Sequence, residues 1–159
     1  MISRLPRPLI RALQRGQHLW GRFARPLTIG VRAVVVDDQQ RVFLVRHSYV
    51  PGWHLPGGGV EPGETALEAL ARELREEGNI ELGDSPRLLG VFFNTYATRR
   101  DHVLVYLVRE FRQTNARGAD WEIVETGCFG QEDRPPGTAR ATRARIAEAR
   151  AGQTTSEHW

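Results

Sequence analysis

Between Gly58 and Ile80 the chain reads GGVEPGETALEALARELREEGNI, a glycine-bearing turn that runs straight into a helix-forming stretch. Thr65 followed three residues later by Glu68 is a capping box, so the spacing predicts a helix starting at Thr65. Gly78 and Asn79, two residues suited to a left-handed stop, predict its end. Leu67, Leu70, Ala71 and Leu74 recur at the interval of one helical face, which predicts a stripe buried against a core. Glu73, Glu76 and Glu77 stand at i, i+3 and i+4, so their carboxylates converge on one surface. Three like charges that close repel one another, and a hard divalent cation taking oxygen ligands offsets the repulsion. The alternative is a solvated amphipathic helix whose glutamates only face water.

The same segment resembles the box of the Nudix hydrolases, G-x5-E-x7-R-E-U-x-E-E-x-G-U with U a bulky apolar residue. Gly58, Glu64, Arg72, Glu73, Leu74, Glu76, Glu77 and Ile80 fall on its positions. Asn79 departs from it, in place of the last glycine. Asparagine tolerates positive φ better than other non-glycine residues, so the departure leaves the turn intact. The approach from Pro51 to Gly59 also looks like the family's lead into its box.

The resemblance implies an α/β fold, an α/β/α sandwich with a mixed β-sheet, and hydrolysis of a diphosphate linkage in a nucleoside diphosphate joined to another moiety. It implies Mg²⁺, or Mn²⁺, held by Glu73, Glu76 and Glu77 with a backbone carbonyl near Gly57 or Gly58 as a further ligand. One of these glutamates or an acid from a later loop is the expected base. Glu64 and Arg72 are expected to brace the loop against the helix, with metal ligation by Glu64 as the other assignment. Arg32, Arg46 and Trp53 are the candidates for substrate contact, weighed against surface arginines and a core aromatic. His47 and His54 read as structural histidines. Asp120 and Glu122 lie where related enzymes place a base-reading or metal-supporting acid, and Glu122 is the candidate taken forward.

At 159 residues the chain suffices for one domain with a proper core. Every basic residue other than histidine is arginine, which excludes a Schiff-base or Walker-type lysine. The single cysteine, Cys128, excludes an internal disulfide and fits a reducing, cytoplasmic setting. Residues 1–26 carry six arginines and no acid among apolar side chains. They read as a basic amphipathic extension that packs on the domain or on a partner subunit, as in a homodimer, rather than as a nucleic-acid or membrane-surface helix. No signal peptide or transmembrane span is read there.

The remainder divides into a catalytic domain at 27–152 and a tail at 153–159. Strands are expected at 27–36 and 41–47 joined by a hairpin turn, at 87–93 and at 102–111, with a short strand and turn over 121–129. A last helix is expected over 139–151, closed by Gly152. A small nucleotide is the expected partner, and nucleic acid is not. Two other functions are carried: a pyrophosphohydrolase of RNA 5′ ends, and a regulatory nucleotide-binding module without catalysis. The second sits poorly with a full set of box carboxylates.

Overall fold

The computed structural model describes residues 27–84, 86–96 and 99–159. The expected amphipathic extension at 1–26 lies outside them. Among the described residues seven strands and two helices follow in chain order: β1 (Thr28–Val35), β2 (Val42–His47), α1 (Ala66–Gly78), β3 (Ile80–Leu82), β4 (Arg87–Asn94), β5 (Asp101–Val108), β6 (Phe111–Gln113), β7 (Ile123–Phe129) and α2 (Arg140–Ala151). The central sheet is mixed, in the order β1-β5-β4, with β1 parallel and β4 antiparallel to β5. β2 pairs antiparallel with β7, and β3 with β6.

Alternation along the strands explains the layers, because successive side chains leave a strand on opposite faces. From β1, Val31, Ala33 and Val35 join Phe43 and Val45 of β2 and Ala69, Leu70 and Leu74 of α1 in one apolar cluster. Val34 of β1, with Val42 and Leu44, joins Val103, Val105 and Leu107 of β5 and Ile146 and Ala149 of α2 in the other. The sheets therefore carry one helix on each face, the sandwich expected from the sequence.

Local signals set the helix ends. Thr65 Oγ1 accepts from the Glu68 amide, and the Glu68 carboxylate accepts from the Thr65 amide, while Asn79 takes the left-handed conformation at φ 50°. Gly152 closes α2 the same way at φ 72°. Four expectations need correction. Leu67 is not part of the buried stripe: it is 46% exposed, and Ala69 fills the core in its place. The turn after β1 exists, with Gln40 N–H donating to Asp37 O and Val36 bridging Val42, but the two strands form no hairpin ladder: β1 pairs with β5 and β2 with β7. The expected strand at 102–111 ends at Val108, and the chain begins a separate strand, β6, at Phe111. The short strand and turn expected over 121–129 form one continuous strand, β7, bulged where it meets β2 between Arg46 and His47.

Candidate active site

Two glycines fix how the turn meets α1. At Gly57 φ is 136°, and a side chain there would collide with Val31 O. At Gly58 any Cβ would fall on the Glu73 carboxylate. The turn backbone thus lies directly on the acidic face of the helix. Val31 N–H donates to Gly58 O at 2.8 Å, and Ala33 N–H to Pro56 O at 2.9 Å, which staples the turn to β1.

Arg72 organises the acids. Its Nε and Nη2 grip Glu64 at 2.9 and 3.1 Å, Nη1 donates to Glu73 Oε1 at 2.7 Å, and Nη2 also reaches Gly59 O at 3.0 Å. Glu76 Oε2 lies 3.6 Å from Nη1. The two-toothed bond from Arg72 holds the Glu64 carboxyl below the usual carboxylate range. One guanidinium therefore ties the loop, through Glu64 and Gly59, to the helix that carries it.

Glu77 turns the other way and is 5% exposed. Gly57 N–H donates to its Oε2 at 2.7 Å, and His47 Nε2 stands 3.4 Å from its Oε1. Burial, against the pull of Arg32 and of the Gly57 amide, pushes its carboxyl up to about 7. Burial and then Arg32 bring His47 down to about 4, so the contact at neutral pH is that of a neutral imidazole rather than an ion pair. His47 Nδ1 is buried without a hydrogen-bond partner.

Glu73, Glu76 and Glu77 line one open cavity of about 260 Å³ together with Glu122, Ile123 and Arg117. Glu122 stands immediately before β7, where Tyr49 Oη donates to its Oε1 at 3.3 Å and Ser48 N–H to its carbonyl at 2.9 Å. Arg117 donates from Nε to Glu76 O at 2.8 Å and pairs with Asp120. Asp120 itself caps the backbone, accepting from the Glu122 and Ile123 amides. Among the described residues no three His, Cys, Asp or Glu side chains already stand in ligating array. The donor set still suits a hard cation. Four carboxylates share the cavity, and the neighbouring charges of Glu73 and Glu122 help to raise the buried Glu77.

The other sequence candidates scatter. Trp53 is 7% exposed and packs edge-on against Phe129 with centroids 4.9 Å apart, so it is a core aromatic and not a stacking platform. The Arg46 guanidinium carbon stands over its ring, 5.8 Å from the centroid. Arg46 is half-exposed and bonded to Glu125 at 2.7 Å. Arg32 faces inward: Nη1 donates to Leu55 O at 3.0 Å and to Gly57 O, which makes it a brace of the turn. The Gly58 carbonyl, named as a ligand candidate, already accepts from Val31. Sequence reasoning missed Arg117, Tyr49 and the placement of His47. None lies in a local pattern; only the fold brings them to the carboxylates.

A model of the NUDIX domain matches residues 26–149. An RNA pyrophosphohydrolase of Legionella pneumophila is 45% identical over 58 residues, 36% of this chain and 32% of that protein. Diphosphoinositol polyphosphate phosphohydrolase 2 of Rattus norvegicus is 40% identical over 87 residues, 54% of this chain and 45% of the relative. The matches thus span less than half the length of these curated relatives. Among solved structures, a MutT NUDIX hydrolase from Burkholderia pseudomallei superposes with TM-score 0.66 and 28% identity, covering 78% of this chain and 98% of that one. A NUDIX hydrolase from Nitrosomonas europaea superposes with TM-score 0.68 at 21% identity, over 82% and 93%, which speaks to the fold alone.

Proposed function

The chain belongs to the Nudix family, and from that premise we propose that it hydrolyses the diphosphate linkage of a small nucleoside diphosphate derivative with the help of Mg²⁺ or Mn²⁺. The observation that carries this is the cavity where Glu73, Glu76, Glu77 and Glu122 meet under the glycine turn. These four side chains are the proposed ligands. A divalent cation bound there would supply charge neutralisation to the diphosphate oxygens.

The chain's own groups do the rest. Arg72 holds Glu73 in place and keeps the turn seated, so the carboxylates need little reorganisation. Arg117 presents a guanidinium at the cavity wall, where it suits a phosphate oxygen. Glu122 is the proposed proton acceptor for the attacking water, at Oε2, because Tyr49 occupies only its Oε1. Diphosphates are anionic and slow to hydrolyse, so positioning and charge neutralisation are where an enzyme gains most.

A second reading has one support: the local identity to an RNA pyrophosphohydrolase. In it the substrate is a triphosphorylated RNA 5′ end. Nucleotide sugars, ADP-ribose, dinucleoside polyphosphates, nucleoside triphosphates and a 5′-triphosphate RNA, each with Mg²⁺, Mn²⁺ or EDTA, separate the readings. Turnover of a small nucleotide that EDTA abolishes is the expected result. Cleavage of the RNA alone would favour the second reading, and cleavage of nothing would defeat both.

Among the described residues no helix is long and apolar enough to cross a membrane. A reducing compartment remains part of the proposal, resting on the lone, partly buried Cys128.

A further inference from the structure

Half of one face of the central sheet lies exposed. Residues directly opposite one another on paired strands share a face. The register therefore sets Ile29, His102 and Phe93 in one row across β1, β5 and β4, and Val31, Leu104 and Val91 in the next. Val31 and Leu104 belong to the apolar cluster beneath α1, which makes this the α1 side of the sheet. Over β1 the helix closes that side, and Val31, Ala33 and Val35 are fully buried. Toward β4 the cover fails. Ile29 is 46% exposed, Val91 50%, and Leu88, opposite Tyr106, 47%. Leu104, Phe93 and His102 between them are only partly buried. On the other side of the same strands Phe92, Val103 and Val105 are buried in the cluster that includes Ile146 of α2. An apolar strip running across three strands marks a surface that takes a partner.

The sequence ahead of β1 has the pattern that fits it. Leu9, Leu13, Gly16, Trp20 and Phe23 recur at steps of four and three, the interval of one helical face. Arg11, Arg15, His18, Arg22 and Arg25 recur at the same steps, each two residues further on and so about 200° round a helix. Ile10 and Leu19 fall on the borders between the two rows. Pro8 suits a first helical turn and Pro26 stops the pattern. With Gly16 and Gly21 inside it and no acid to pair its arginines, such a helix is marginal by itself and needs a surface for its apolar row.

We propose that residues 8–25 form an amphipathic helix whose apolar row docks on the exposed half of the sheet of its own chain, with the arginine row turned to solvent. Only Pro26 and Leu27 separate the pattern from β1, so its last turn is tied beside Ile29. A helix over 8–25 is about 27 Å long, and β1 to β4 spans about 10 Å, so it crosses every exposed row. The short link also holds it at the face at an effective concentration that a second copy reaches only in concentrated solution. Gly16 lets the helix backbone approach the strands closely.

Cysteine pairs in the full chain, in a Cys128→Ser background, test the docking. Val91→Cys is combined in turn with Leu13→Cys or Trp20→Cys from the apolar row, and with Arg11→Cys, Arg15→Cys or Arg22→Cys from the basic row. The products of mild oxidation are read by non-reducing electrophoresis and mass spectrometry. At least one apolar-row pair should close within a single chain, severalfold faster than any basic-row pair. Val91→Asp, a change at a half-exposed position, supplies a second measurement without cysteines: amide exchange over residues 9–23 should speed up severalfold while exchange in β5 and α1 stays the same. Basic-row pairs closing as fast as apolar-row pairs would overturn the proposal. So would links formed only between chains, which would give the face to a second copy, and so would exchange over 9–23 that Val91→Asp leaves unchanged.

Discussion

Glu77→Gln should make the metal-free protein more stable, and the gain should depend on pH. Burial raises the Glu77 carboxyl from its ordinary 4.5 to about 7 in the folded state. Between those values the folded protein binds more protons than the unfolded chain, so stability falls as pH rises through that window, and the full penalty is present above it. A shift of about 2.5 units at about 1.4 kcal/mol each gives a penalty of about 3 kcal/mol at pH 8 and less than about 1 kcal/mol at pH 5. Glutamine keeps the acceptor for Gly57 N–H and removes the charge. In EDTA the variant should therefore melt about 5–10 °C above the intact protein at pH 8, with the gap largely closed at pH 5. His47 titrates in the opposite sense, since its lowered value adds stability above about 6.5 that is lost as pH falls toward about 4. Both proteins carry His47, so the difference between their melting curves isolates Glu77. Calorimetry or circular dichroism melts at the two pH values decide it. A variant less stable than the intact protein at pH 8 in EDTA, or a gap independent of pH, would refute the reasoning.

The Glu76 carboxylate is well exposed at the cavity, so Glu76→Gln should leave the fold and melting point nearly unchanged while kcat falls by about 10²-fold or more; steady-state rates at saturating Mg²⁺ measure it, and near-normal turnover would remove Glu76 from the ligand set. If Glu64 acts through Arg72, then Glu64→Gln and Arg72→Ala should each lower the melting point and activity, and the double variant should lose much less than the sum. Weakened Mn²⁺ binding in Glu64→Gln with stability intact would make Glu64 a ligand instead. Gly58→Ala should cut activity more than almost any other single methyl, because the new Cβ displaces the Glu73 carboxylate; a crystal structure showing Glu73 unmoved would contradict this.

What could be read along the chain was what local chemistry decides. The capping box at Thr65 and Glu68, the left-handed Asn79 and the Glu64 to Arg72 spacing all act within one or two helical turns, so pattern and geometry coincide. Pairing partners are not local. The run from Asp37 to Gln40 looks like a hairpin and does turn, yet β1 gains more from the parallel ladder with β5 in the middle of the sheet. Trp53 illustrates the same limit at a side chain: an indole beside a glycine turn suits stacking as well as packing, and only Phe129, brought in by β7, decides for packing. Glu122 joined the carboxylates as its position suggested, whereas Arg117 carries no motif and reaches them because β7 returns beside β2. Trp159 lies in a stretch with no periodicity, and its place depends on a buried arginine within a helix whose one large apolar side chain is Ile146.

The account stands on one cavity holding a divalent cation. Crystals grown without metal and then soaked in Mn²⁺, with data collected on either side of the manganese absorption edge, locate the ion directly. The predicted anomalous peak lies among Glu73, Glu76, Glu77 and Glu122, and it disappears in Glu76→Gln crystals or drops sharply. Peaks confined to other surfaces, or an unfilled cavity at Mn²⁺ concentrations that support turnover, would contradict the account.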